Sequence, residues 1–241
     1  MTEQAFWSEL ERRVAKYDLL CHPFYQAWAQ GQLTRDDLRG YAEDYYHHVA
    51  AFPGYLDNLQ ARLPHGALRD AVIGNWEDEI GWIAPEDAAS PAKQRRAHDL
   101  LWLQFAEGMG ADVAKTHAGR PSAEVQDLID TFRRYAREGS AAEALAAFYA
   151  YESQVPRIAS EKERGLRAWY GASDAACEYF TLHATADVHH SRVWRDLLNR
   201  LLAEDPAQAE PALDAAENAA LALWRALDGI EARRLATQLA H

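Results

Sequence analysis

Nowhere does this chain alternate apolar and polar residues as a half-buried strand must, so a sheet is excluded at the outset. Ala, Leu, Glu and Arg dominate, and the sequence reads as helices separated by short breaks. The first covers roughly Glu3 to Lys16, and a short one follows His22-Pro23, where proline suits a first helical turn. Thr34 is read as the N-cap of a long helix through Leu63, kinked near Pro53 and stopped before Pro64. Further helices are expected from Ala67 to Trp82, from Pro91 to Gly108 after a loop over 83–90, and from Ser122 to Gly139. Ser140 and Glu143 form a capping box opening a helix that reaches Gly165. Ser173 caps one ending near Leu202, and the last runs from Ala207 to the C-terminus. With no linker, repeat or low-complexity tract, residues 1–241 are expected to form a single all-α domain.

Composition narrows the partners. The net charge of −12 repels a phosphate backbone, so nucleic acid is not expected. No apolar run approaches the roughly eighteen residues of a membrane span. The start, Met1 to Trp7, lacks the basic and apolar stretches of a signal peptide. Cys21 and Cys177 form neither a metal-type spacing nor a disulfide framework, which suits a reducing cytoplasm.

The richest chemistry lies in Tyr179 to His190. His183, Asp187 and His190 sit at i, i+4 and i+7, within roughly 60° of one another on a helix. Phe180, Leu182 and Val193 are apolar, so part of this helix is buried, and burying three such groups is costly unless they pair or bind metal. Imidazole with carboxylate suits iron, manganese or zinc; the competing reading is a solvated polar stripe. In Phe148 to Pro156 a lone Glu152 lies among aromatics and alanines. Pro156 cannot donate to the carbonyl of Glu152 and crowds it, so the helix should bend at the carboxylate. A third group is Asn75, Glu77, Asp78 and Glu79, followed by His98 beside Leu101 and Trp102. For Glu77 and Asp78 a surface patch is the simpler reading.

Helical dimetal proteins direct Glu and His inward from several helices, but the ferritin-like Glu-x-x-His pair is absent; Asp187 to His190 is an Asp-x-x-His instead. Asp44, His47 and His48 repeat that spacing in an aromatic helix without further ligands nearby, which suits pocket lining or hydrogen bonding.

His22 to Tyr25, Tyr45 to Pro53, Asp78-Glu79, His98 to Trp102, Phe148 to Pro156 and His183 to His190 together resemble the haem-oxygenase-like dimetal oxidases, and within them the CADD-like folate-biosynthesis proteins. The resemblance runs from Tyr17 to Trp194. It implies a haem-oxygenase-like helical bundle related to TenA and PqqC. It also implies six metal ligands: Glu79, His98, Glu152, His183, Asp187 and His190. The implied cofactor is two irons, or iron with manganese, acting with dioxygen and an external reductant; a homodimer is compatible with it. The implied product is 4-aminobenzoate, with Tyr25 of the chain itself as ring source and Lys162 as amine donor.

In the family the first Glu and its His lie only a few residues apart. Here eighteen residues separate Glu79 from His98, which leaves Glu77, Asp78 and Glu86 as substitutes for Glu79. Without the resemblance, Tyr25 reads as a core tyrosine and Lys162 as a solvated lysine near a helix C-terminus. Lys162, about 15 Å of helix beyond Glu152, would need the Pro156 kink to approach the metals. Competing functions are a dimetal oxidase acting on an external fatty acid or amino acid, a metal-free TenA-like enzyme with a nucleophilic Cys, and a helical partner-binding protein.

Overall fold

The structure, a computed structural model, describes residues 1–83 and 96–239. Eleven α-helices and no strand are found among them: α1 (Glu3–Ala15), α2 (Pro23–Ala29), α3 (Arg35–Gln60), α4 (Ala67–Glu79), α5 (His98–Gly108), α6 (Val113–Ala118), α7 (Ala123–Arg137), α8 (Ala141–Glu152), α9 (Val155–Trp169), α10 (Asp174–Glu204) and α11 (Ala209–Leu239). Thr34 and Ser140 build full capping boxes with Asp37 and Glu143, while Ser122 and Ser173 accept from the third backbone N–H of their helices. Pro53 lies inside α3 without ending it. The short α6 and a 3-10 turn over Leu19–Cys21 lie where no helix was expected; both hold too few residues to show an apolar period. The helix expected from Pro91 begins at His98 among the described residues, since Arg96 and Ala97 are not helical; 91–95 lie outside them.

α8 is the axis of the bundle, because it is apolar on every side. It packs most extensively on α11, and both helices are rich in small buried residues, Ala142, Ala146 and Ala150 on α8 and Ala212, Ala216 and Ala219 on α11. Small side chains let the two backbones approach closely. α10 and α7 cover the other flanks of α8, and α3 closes the far side against α5 and α7. Among the described residues no helix is long and apolar enough to cross a membrane.

Two local features place the site. The bend expected at Glu152 is a full break. α8 ends at Glu152, Ser153 and Gln154 turn, and Pro156 sits in the first turn of α9, where its missing N–H costs nothing. The second feature concerns the long excursion after Glu79. Gly81 adopts φ +65°, and a Cβ there would lie 2.6 Å from the backbone of Arg96 and Ala97. The chain thus leaves and re-enters at one point, so Glu79 and His98 stay neighbours whatever the length of the excursion. Gly81→Ala combines a left-handed Ala with a backbone collision and is expected to lower stability by about 1–3 kcal/mol, read from the denaturation midpoint.

Candidate metal centre and lysine box

Four helices meet at a cluster of ionisable side chains. Glu79 comes from the end of α4, His98 from the start of α5, Glu152 from the end of α8, and His183, Asp187 and His190 from one face of α10. All six are buried, none more than 6% exposed. They fall into two triplets, Glu79–His98–His183 and Glu152–Asp187–His190, and in each the candidate donor atoms lie within 4.8 Å of one another. The spacing of His183, Asp187 and His190 therefore marks one inward face, not a solvated stripe.

The first triplet is tight. His98 Nδ1 lies 2.9 Å from Glu79 Oε2 and 3.1 Å from His183 Nε2. The Tyr179 carbonyl can only accept, so His183 donates to it from Nδ1 at 2.7 Å, which leaves the Nε2 lone pair aimed at the cluster. In the second triplet, His190 Nδ1 lies 3.2 Å from Asp187 Oδ1, and its Nε2 lies 3.3 Å from Asp78 Oδ2 at the rim. Trp194 Nε1 donates to Glu152 Oε2 at 2.6 Å. Glu152 Oε1 is buried without a hydrogen-bond partner.

Burial drives the electrostatics. It pushes the Glu152 carboxyl well above the usual range, and the charges of Asp187 and Glu79 add to this against the pull of His190. Burial also disfavours the Glu79 carboxylate, but the charge and hydrogen bond of His98 outweigh it and hold Glu79 below its ordinary value. Burial likewise opposes charge on His190, yet Asp187 and Asp78 raise it to about 11. The donor set fits metal ions: each triplet offers imidazole and carboxylate, and a cation would engage the orphaned Glu152 Oε1. Asp78 touches His190 but Glu79 is the carboxylate inside; Glu77 is half-buried, and Glu86 lies outside the described residues.

A second cluster has the opposite character. Lys162 lies on the buried stripe of α9, with Val155, Ile158, Ala159, Gly165 and Leu166. Its Nζ is ringed by Tyr25, Trp28, Tyr41, Tyr45, Trp102 and Phe180, with ring centroids 4.3 Å away for Tyr25 and 4.7 Å for Tyr41. Nζ donates to the Tyr41 hydroxyl at 2.5 Å, and that hydroxyl lies 3.0 Å from the hydroxyl of Tyr25. No carboxylate pairs with Lys162 among the described residues, and burial alone drives its amine well below the ordinary value of 10.5. Burial raises Tyr25 and Tyr41 as well, so both phenols stay protonated. The adjoining cavity, lined by Tyr25, Tyr45, Trp102, Lys162, Tyr179 and Phe180 among others, holds only about 30 Å³.

Aromatic contacts join the clusters. Tyr41 stacks on Tyr45 at 5.4 Å, Tyr45 lies 5.5 Å from Trp102, Trp102 4.8 Å from Tyr179, and Tyr179 stacks on His183 at 4.0 Å. Tyr41 and Tyr45 share a face of α3 at i, i+4, a signal readable in sequence, although nothing local shows that Lys162 meets that face. Lys162 itself occupies a position of the apolar stripe of α9, the clue against a solvated lysine. It approaches Tyr25, while the metal-type triplets stand beyond the row of rings.

The remaining candidates lie apart. His48 is buried among Tyr45, Phe52, Tyr55, Phe132 and Tyr151, and burial lowers it to about 3, so it is neutral. Asp44 accepts from the backbone and hydroxyl of Ser122 and pairs with Arg233. Cys21 is exposed, and burial raises the thiol of Cys177, against a nucleophilic role.

The sequence pattern of a haem-oxygenase family described as iron-containing redox enzymes matches residues 39–224. The 4-aminobenzoate synthase of Chlamydia trachomatis is 35% identical over 224 residues, covering 92% of this chain and 90% of that protein. The 4-aminobenzoate synthase of Nitrosomonas europaea is 35% identical over 240 residues, covering 95% and 92%. Among solved structures, a TenA homologue from Pseudomonas syringae superimposes with a TM-score of 0.76 at 15% identity over 95% of this chain and 94% of that one. A domain of haem-oxygenase-like fold from Shewanella denitrificans gives 0.75 at 18%, over 96% and 94%. These structures establish the fold, as the resemblance implied.

The lysine box generates a prediction. Between the lowered value of Lys162 and 10.5, the unfolded chain holds a proton on this amine that the folded chain lacks. Unfolding free energy therefore rises with pH across that window, by up to about 1.4 kcal/mol per unit, and levels off above it. Lys162→Met removes this slope. The variant should be the more stable protein at pH 8, with its advantage shrinking toward pH 10.5 in parallel urea titrations. A pH-independent difference would show the amine to be charged in the fold.

Proposed function

Since the chain belongs to the haem-oxygenase family of iron-containing redox enzymes, we propose that it forms 4-aminobenzoate from its own Tyr25, with Lys162 as the amine donor. The observation that carries this reading is the placement of the Tyr25 ring 4.3 Å from a buried, uncharged amine in a box with about 30 Å³ of free space. An added aromatic substrate has no room beside Lys162, whereas an aromatic ring of the chain is already there. The names of the relatives agree with the product.

In this reading Glu79, His98 and His183 hold one metal ion, and Glu152, Asp187 and His190 hold a second. Two irons, or iron with manganese, would activate dioxygen there with electrons from an external reductant. The protein supplies the rest. Tyr179 fixes the tautomer of His183 through its carbonyl, and Asp78 orients His190 from the other ring nitrogen. The aromatic walls exclude water from Lys162 and keep its nitrogen unprotonated, as a nucleophilic amine must be. The Tyr41 hydroxyl touches both Nζ and the Tyr25 hydroxyl, so it can carry a proton between them. The row from Tyr41 to Tyr179 is the contact path between the two clusters.

A second reading keeps the metals and takes an external fatty acid or amino acid. A cavity of about 440 Å³, lined by Asp78, Arg96, His98, Glu178 and His190 among others, favours it, although Arg96 is engaged by Glu178.

Two measurements test these assignments. Protein expressed with iron and manganese should carry close to two transition-metal ions per chain by elemental analysis. His183→Ala with Asp187→Ala should lose most of that metal while keeping its helical circular dichroism; full loading would remove the ligand assignment. Given metal, dioxygen and reductant, protein made with ring-labelled tyrosine should release labelled 4-aminobenzoate, near one per chain. Tyr25→Phe should abolish product with both metals retained. Undiminished product from Tyr25→Phe would reject Tyr25 as the ring source, and repeated turnover on an added fatty acid or amino acid would favour the second reading.

A further inference from the structure

Tyr25 stands in the first turns of α2, a seven-residue helix too short to hold itself. What fixes its start is unusual. The N-cap is His22, in place of the common Ser, Thr, Asp or Asn. Its Nδ1 accepts from the Phe24 backbone N–H at 3.1 Å. Pro23 has no N–H to satisfy, so the Phe24 N–H is the first free donor of the helix. An acceptor at Nδ1 must be unprotonated, which puts the ring proton on Nε2, and there Asp228 Oδ1 of α11 accepts it at 3.1 Å. The imidazole is fully buried and meets Trp224 of α11 edge-on at 4.7 Å. Burial lowers its proton affinity against the pull of Asp228 and Glu231, in keeping with a neutral ring.

We propose that His22 is a positioning residue for Tyr25: as the Nε2–H tautomer set by Asp228, it caps α2 and ties it to α11, which holds the Tyr25 ring against Lys162. This rests on the reading of Tyr25 as ring source. The chemistry requires one small geometry, the ring 4.3 Å from Nζ with both hydroxyls on Tyr41, and α2 carries Tyr25 only three residues from the cap. Small misplacements of a reacting group are costly, so a frayed first turn would slow the reaction without touching metal or amine.

The test compares His22→Ala with His22→Asn in full-length, metal-loaded protein. Asn restores an N-cap oxygen but not the buried ring or its contact with Asp228. His22→Ala should lower the initial rate of 4-aminobenzoate formation by at least about tenfold with two metals retained. His22→Asn should recover most of that rate while melting below the wild type. Equally lowered rates in both variants, or a wild-type rate in His22→Ala with the Tyr25 ring unmoved, would overturn the proposal. Placement is read separately from a 3-fluorotyrosine signal at position 25, assigned by its loss in Tyr25→Phe. The signal should shift or broaden in His22→Ala and return in His22→Asn. Those shifts with no change in rate would overturn the assignment of Tyr25 as ring source while upholding the cap. Should His22→Ala fail to fold, ¹⁵N spectra of the wild type decide: an Nε2–H tautomer for His22 supports the proposal, and an Nδ1–H tautomer overturns it.

Discussion

Three carboxylates and three imidazoles buried at one point cost more than any single helix pair can return, and the bundle is arranged around that cost. The groups come from four helices, so no one helix can relax to expose them. α8 carries Glu152 at its end and is held by its extensive packing on α11. The break after Glu152 follows from Pro156 and has two consequences. It ends α8 at the carboxylate, and it opens α9, whose buried stripe carries Lys162. One proline thus stands between the residues of both clusters.

The clusters solve burial in opposite ways. In the first, charges answer charges: Glu79 faces His98, and Asp187 and Asp78 face His190. Such a site suits cations, whose binding would displace the protons that now balance the carboxylates. In the second, charge is suppressed. A carboxylate beside Lys162 would favour the ammonium and remove the lone pair; six rings and one hydroxyl do not. The aromatic faces attract a cation weakly, but desolvation of a fully enclosed amine is the larger effect.

The sequence made the site legible wherever the signal was local. His183, Asp187 and His190 repeat on one face of one helix, and Glu152 is flagged by the proline four residues on; the structure puts all four in the triplets. Glu79 was ambiguous because loop length says nothing about where a loop returns. What returns it is a contact, Gly81 against Arg96 and Ala97, that joins distant parts of the chain. Lys162 was implied by the resemblance alone. Charged residues near helix ends are usually solvated, and the opposing clue, its place on the apolar stripe of α9, is a single position in one helix. Tyr41 carries no local signal because its contacts exist only between α2, α3 and α9. The all-helical fold was readable throughout, since caps and breaks are local; α6 and the turn at Leu19–Cys21 were too short to show a period.

The buried amine also bears on why this core is built from so many large rings. A lysine driven to neutrality lowers stability at every pH below its ordinary value, so its neighbours must offset that loss. Trp28 shows how. Its indole N–H donates to the Lys162 carbonyl, its ring lies over Nζ, and Gly165 on the next turn of α9 leaves room for it, since a Cβ there would come within 2.8 Å. The same side chain therefore pins the backbone of α9, walls the amine from water and locks α2 to α9. Tyr170 tightens the arrangement by donating to the Trp28 carbonyl. Tyr25 stands one helical turn before Trp28, so the residue that secures the lysine also limits the freedom of the ring beside it. The stability lost at Lys162 and the fixed position of Tyr25 thus depend on the same contacts.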